Sequence, residues 1–177
     1  MNFRIIKKWH ASIVAMTVLA ATVLIFSSGA ASAAVESPVG DGQYHAISNV
    51  SGLVLEREGR CANQTGYAII NTAGGFAAQQ YRFDLNSEGT VYIYDRCALS
   101  RALTAPPSAG GKVELRTYDS SRADQKWNVT QDPSGKLTIA SVAGGFVLDS
   151  AGVVAGSFVV ANTADPQSPT QKWAVVS

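Results

Sequence analysis

The chain has 177 residues, of which 46% are hydrophobic and 8% aromatic, enough for one core of domain size. Its 14 Lys and Arg nearly balance 13 Asp and Glu, a formal net charge of +1 with no basic stripe. That balance gives no electrostatic support to a nucleic-acid partner.

Residues 1–33 read as an export signal. Arg4, Lys7 and Lys8 precede the apolar stretch "ASIVAMTVLAATVLIF", and Ala31-Ser32-Ala33 offers a small-x-small cleavage site. The apolar run is about 16 residues, short of the roughly 20 that a spanning helix needs, so cleavage after Ala33 is expected rather than a retained anchor. The 144 residues from 34 to 177 would then carry 11 basic against 13 acidic side chains, a charge of −2. No later stretch is long and apolar enough to span a bilayer, so a secreted protein is expected. Residues 34–42, "AVESPVGDG", read as a short flexible lead-in.

From residue 43 the chain repeats itself. "DQKWNV" and "TQKWAV" hold Trp127 and Trp173, 46 residues apart and the only tryptophans beyond the leader. Another 46 residues back, "AQQYRF" places Gln79, Tyr81 and Phe83 where Gln125, Trp127 and Val129, and Gln171, Trp173 and Val175, stand. Three repeats follow, 43–85, 89–131 and 135–177. In repeats one and three, "QYHAISNVSGLVLER" and "GKLTIASVAGGFVLDS" each read as a strand ending in Ile47 or Ile139, a glycine turn, and a strand ending in Leu55-Glu56 or Leu148-Asp149. Repeat two keeps the first strand at Tyr92-Ile93 and reaches Leu103-Thr104. A third strand comes at Tyr67 to Ile70, Val113 to Leu115 and Phe158 to Val160, and the Gln-x-aromatic element supplies the fourth.

Short strands rich in Val, Ile, Tyr and Phe between Gly, Asn and Ser turns predict an all-β domain. Three four-stranded units are too few for a propeller, so they must close on one another. The motif aromatic, with an apolar residue two positions on along the same strand face, is expected in the core rather than on a sugar. Tyr81 then needs a partner for its hydroxyl. Cys61 and Cys97, 36 residues apart, are expected to pair in an oxidising compartment, two free buried thiols being the other reading. Such a loop adds about 3–4 kcal/mol in the chain-entropy model.

The triple "QQYRF", "QKWNV", "QKWAV", supported by "NVSGLVLE", "SVAGGFVLD" and the strand starts "GYAI", "GKV" and "GSFV", resembles the ricin B-type, or R-type lectin, β-trefoil over residues 43–177. The resemblance implies twelve strands in pseudo-threefold array and a shallow sugar pocket in each repeat. It places a hydroxyl-accepting Asp at the end of the second strand, an aromatic platform after the third, and the motif Gln as the Asp's support. Repeat three keeps Asp149 and Gln171, with Asn162 at the platform position. Repeat one has Glu56, with Thr72 at the platform beside Asn71, and Gln79. Repeat two has Thr104, Arg116 and Asp124, and Tyr118 two positions out of register. No repeat combines acid, aromatic and Asn, which makes the third the best pocket, the first a poorer one and the second the least equipped. Asp149 also reads as a turn residue, Glu56 as part of a solvated loop, and Asn162 as a turn cap.

Catalytic signatures are missing. His45 is the one histidine beyond the leader, and no nucleophile elbow, metal-ligand spacing or phosphate loop occurs. No enzyme, cofactor or metal site is expected. Asn49, Asn63 and Asn128 head glycosylation sequons that matter only in a eukaryotic secretory pathway, and Asn128 follows a core Trp. The expected function is weak, metal-independent carbohydrate binding centred on Asp149, with dissociation constants near millimolar, about −4 kcal/mol. The alternative is a trefoil that has lost sugar binding and meets a protein partner through its loops, as an interaction or inhibitor module.

Overall fold

The computed structural model describes residues 37–62 and 66–176; the export signal, its cleavage site and Asn63 lie outside the described residues. Among the described residues, the apolar segments form thirteen short strands. Repeat one holds β1 (Ala46–Ser48), β2 (Val54–Arg57), β3 (Gly66–Asn71) and β4 (Tyr81–Leu85). Repeat two holds β5 (Val91–Asp95), β6 (Arg101–Thr104), β7 (Gly111–Lys112), β8 (Glu114–Thr117) and β9 (Trp127–Gln131). Repeat three holds β10 (Leu137–Ser141), β11 (Val147–Asp149), β12 (Val160–Asn162) and β13 (Ala174–Val176). The third strand of repeat two is split around buried Val113, which accounts for thirteen strands in a twelve-strand plan.

The repeats close by handing strands to one another. β4 pairs with β5 of the next repeat, β9 with β10, and β13 returns to β1 through Ala46↔Val176, Ile47↔Val175 and Ser48↔Ala174. The motif aromatics make the other joints, each against the first strand region of its own repeat: Tyr81 with His45, Trp127 with Val91, Trp173 with Leu137. Six strands thus ring a barrel whose joints sit at the same place in every repeat. The hairpins β2–β3, β6–β8 and β11–β12 lie across one end and touch mutually, β3 with β8 and β7 with β12. The fold is the β-trefoil that the repeats predict.

Trp127, Trp173, Tyr81 and Phe83 are fully buried with Ile47, Leu55, Leu103, Ile139 and Leu148, so the motif serves the core as expected. Each indole also donates a hydrogen bond, Trp127 Nε1 to Leu103 O and Trp173 Nε1 to Leu148 O, both at 3.0 Å. The Tyr81 hydroxyl finds Ala78 O at 3.3 Å. Cys61 and Cys97 form a disulfide, Cα to Cα 5.2 Å, joining repeats one and two. Beside it Arg57 and Asp95, both buried, pair at 3.0 Å.

Two sequence expectations change. The lead-in is tied to the domain at its far end: Val39 bridges Phe83 and packs on the core, and Gly40 N–H donates to Phe83 O at 2.8 Å. The sequon doubted for its place beside a core Trp proves the more accessible of the two described. Asn49 is buried, its Oδ1 accepting from the Ser51 and Leu53 amides, whereas Asn128 points outward from β9 although Trp127 beside it is core. Alternation along a strand puts neighbours on opposite faces.

Candidate functional site

The motif glutamine ends a short 3-10 turn in each repeat: Ala77–Gln79, Ala123–Gln125 and Pro169–Gln171. There the buried side chain makes the same contacts three times. Its Oε1 accepts from the amides of Gly74, Asp119 and Asp165, each at 2.8 Å. Its Nε2 donates to the carbonyls of Thr72, Thr117 and Thr163, at 2.9, 2.9 and 3.0 Å. The remaining Nε2 hydrogen turns to the end of the second strand: Glu56 Oε2 in repeat one, Thr104 Oγ1 at 3.1 Å in repeat two, Asp149 Oδ2 at 3.2 Å in repeat three. The indoles hold that same strand end, because Leu103 and Leu148 immediately precede Thr104 and Asp149.

This geometry gives the register that sequence alone left uncertain. Glu56, Thr104 and Asp149 pair across their hairpins with Ile69, Glu114 and Val160. Two residues beyond those partners, on the same face, stand Asn71, Arg116 and Asn162. Asn71 rather than Thr72 is therefore the counterpart of Asn162. Thr72 supplies only its carbonyl, as Thr117 and Thr163 do. One residue before each 3-10 turn, at its entry, come Phe76, Arg122 and Ser168.

In repeat three the expected residues meet. Asn162 Nδ2 donates to Asp149 Oδ2 at 3.0 Å, Gln171 Nε2 to the same oxygen, and Ala151 N–H to Oδ1 at 2.8 Å. Ala151 takes a left-handed φ of 46° in the turn that follows the strand. Burial pushes the Asp149 carboxyl upward, yet the donors Asn162, Ala151, Thr170 and Gln171 outweigh it and hold the group below its ordinary value. Asp149 is thus an oriented, ionised acceptor.

Repeat one repeats the set with a longer acid. Glu56 is 2% exposed, not solvated, and accepts from Gln79 and from Asn71 Nδ2 at 3.4 Å. An aromatic ring that the motif comparison missed stands nearby: Phe76, 40% exposed, under the guanidinium of Arg60. Its signal in the sequence is its place three residues before Gln79, where the other repeats carry Arg122 and Ser168.

Repeat two has no acid at the end of β6, but it has the space. A cavity of about 520 Å3 is lined by Thr104, Pro106, Tyr67, Lys112, Arg116 and Arg122, with Glu114 and Asp124 among its walls. Arg116 Nε bonds Glu114 Oε2 at 2.6 Å, and Arg122 Nε bonds Asp124 Oδ1 at 2.9 Å. Tyr118 is turned into an edge-to-face cluster with Tyr92 and Tyr94, centroids 5.0 and 5.4 Å away. Among the described residues no group of three or more His, Cys, Asp and Glu side chains is placed to hold a metal ion, and no helix is long and apolar enough to cross a membrane. His45 Nε2 lies 2.7 Å from Asp41 Oδ2 at the surface.

No family model matches the sequence, and no curated protein matches it. Solved structures do match the fold. A designed threefold-symmetric protein, ThreeFoil, is 23% identical over 76% of this chain and 98% of its own, with a TM-score of 0.68. The C-half of an earthworm R-type lectin, in complex with GalNAc, is 21% identical over 75% of this chain and 97% of its own, at 0.58. An exo-β-1,3-galactanase from Clostridium thermocellum is 23% identical over 78% of this chain but only 31% of its own, at 0.68. This chain shares the β-trefoil fold of the R-type lectins.

Proposed function

We propose that the protein is a secreted, metal-independent and non-catalytic saccharide-binding module whose principal site is the third repeat. The observation that carries this reading is the single carboxylate oxygen, Asp149 Oδ2, held by both Asn162 and Gln171. Two amides fix Oδ2, and Oδ1 is the acceptor proposed for a ligand hydroxyl, beside the Ala151 amide and with Thr170 a further donor to the carboxylate. Asn162 Oδ1 offers a second acceptor beside Gly110. A pair of oriented acceptors suits vicinal sugar hydroxyls. The trefoil of the GalNAc-bound earthworm lectin supports the class of ligand.

The platform position in repeat three holds Asn162 rather than a ring, so the site covers little apolar area. Dissociation constants near millimolar follow. The test is a glycan-array screen of the purified protein beside folded Asp149→Ala. Binding to a neutral sugar that disappears in the variant supports the reading, whereas binding that survives moves the site elsewhere.

One observation favours the second reading, a protein partner. Val153 and Val154, 58% and 67% exposed, sit together on the loop that follows Asp149. An array that stays silent with folded protein would leave those valines as the functional surface.

A further inference from the structure

The second repeat, which lacks the acceptor acid, carries the inverse chemistry. In the frame set by the glutamines, Thr104 stands where Glu56 and Asp149 stand, and Arg116 where Asn71 and Asn162 stand. Arg122 takes the entry position that Phe76 and Ser168 take elsewhere. The strand-end acid is lost from this site, the cations Lys112, Arg116 and Arg122 are gained, and the acids Glu114 and Asp124 come with them, all around one cavity of about 520 Å3.

We propose that this cavity binds an anionic saccharide, a sugar whose carboxylate or sulfate supplies the negative group that repeat two no longer provides. The proposal rests on reading the domain as a saccharide binder and adds a second, differently charged site to it. Arg116 uses its Nε on Glu114, and Arg122 its Nε and Nη2 on Asp124. The two carboxylates fix the guanidinium planes. Both terminal amino groups of Arg116 and the Nη1 of Arg122 are left over for a ligand, in the planar geometry that a carboxylate or sulfate matches. Lys112 adds a third cation, its Nζ 3.3 Å from the centroid of Phe158 and 4.9 Å from that of Tyr67. Three cations against Glu114 and Asp124 leave the lining net positive on a domain, residues 43–177, whose 11 basic and 11 acidic side chains balance. Pro106, Pro107 and Tyr67 form an apolar wall against which the C–H face of a sugar ring can lie.

The experiment is calorimetric titration of the purified protein with trigalacturonate, its fully methylated ester, galactose 6-sulfate and neutral galactose. The acid is expected to bind at least about tenfold more tightly than its ester, and the difference to shrink with added salt. Arg116→Gln, at a half-exposed side chain, is expected to remove that tenfold preference while the melting temperature holds. Thr104→Asp, which restores the acid of the other repeats, is expected to do the same from the opposite side of the cavity. Binding of the sulfate alone, with the same Arg116 dependence, would support the anionic site and name sulfate as its group. Equal binding of acid and ester, no binding of either anion, or an anion preference untouched by Arg116→Gln would overturn the proposal. Neutral galactose separates the two readings. Binding that needs Asp149, without any anion preference, sinks the second-repeat site alone, and an Arg116-dependent preference with no neutral binding sinks the third-repeat site alone.

Discussion

The guanidinium of Arg60 lies over the ring of Phe76, Cζ 3.8 Å from the centroid, while its Nε stands 3.9 Å from Glu56 Oε1. The one side chain therefore covers both features that a sugar would use in repeat one, the ring face and the acid. An exposed cation–π contact contributes about 0.5–1 kcal/mol, and an ion pair with one exposed partner about 0–1 kcal/mol. Arg60→Ala is expected to cost stability within that range and to raise the affinity of repeat one for a neutral saccharide several-fold. Titration of Arg60→Ala beside Arg60→Ala/Glu56→Gln checks it: a gain in the single variant that the double variant loses is the expected outcome, and no gain refutes the occlusion.

Binding at the third repeat should depend on pH through Asp149. Burial raises this carboxyl, but the Asn162, Ala151, Thr170 and Gln171 donors set it below its ordinary value. A group depressed in the folded state stabilises the fold above its unfolded value, about 3.9, and that contribution disappears as pH falls through the folded value. Saccharide affinity is expected to stay flat from about pH 8 to pH 5 and to fall only below the usual carboxylate range. A titration midpoint near pH 6 would contradict this assignment.

Core tryptophans and site residues should separate by assay. Trp127→Phe removes the hydrogen bond to Leu103 O and leaves a cavity at a fully buried position. The expected cost is about 2–4 kcal/mol, read as a lower denaturant midpoint. Saccharide binding by the protein that remains folded is expected to be unchanged at the third repeat.

The buried pair Arg57 and Asp95 should behave asymmetrically. Arg57 Nη1 and Asp95 Oδ2 lie 3.0 Å apart, and neither atom has an aligned hydrogen bond. Asp95→Ala strands a buried guanidinium and is expected to cost about 3–5 kcal/mol. Replacing both, as Arg57→Met/Asp95→Leu, is expected to recover most of that loss in chemical denaturation. Additive losses would show that the two residues act independently.

The fold was legible because its determinants recur at a fixed interval. Tyr81, Trp127 and Trp173 are 46 residues apart since each closes the same joint of one barrel. The disulfide was legible in its chemistry, and Asp149, Asn162 and Gln171 only through the resemblance to the R-type lectins. What stayed hidden was register in repeat one, where Asn71 and Thr72 differ by one residue and only hairpin pairing separates them. Phe76 and Arg60 were hidden for another reason. Their contact crosses from the loop after β2 to the turn before β4, and no repeat pattern marks a contact made once.

The glutamines hold Thr72, Thr117 and Thr163 whatever stands at the strand end, whether Glu56, Thr104 or Asp149. Two backbone bonds per clamp are independent of the third partner, so that partner can drift without loosening the barrel. The strand-end side chain and the bonds that hold the barrel are thereby written at separate positions of the same repeat. For the engineer, the strand-end position is a socket: exchanging Thr104 for an acid, or Asp149 for a hydroxyl, re-specifies one face of the molecule and leaves its neighbours alone.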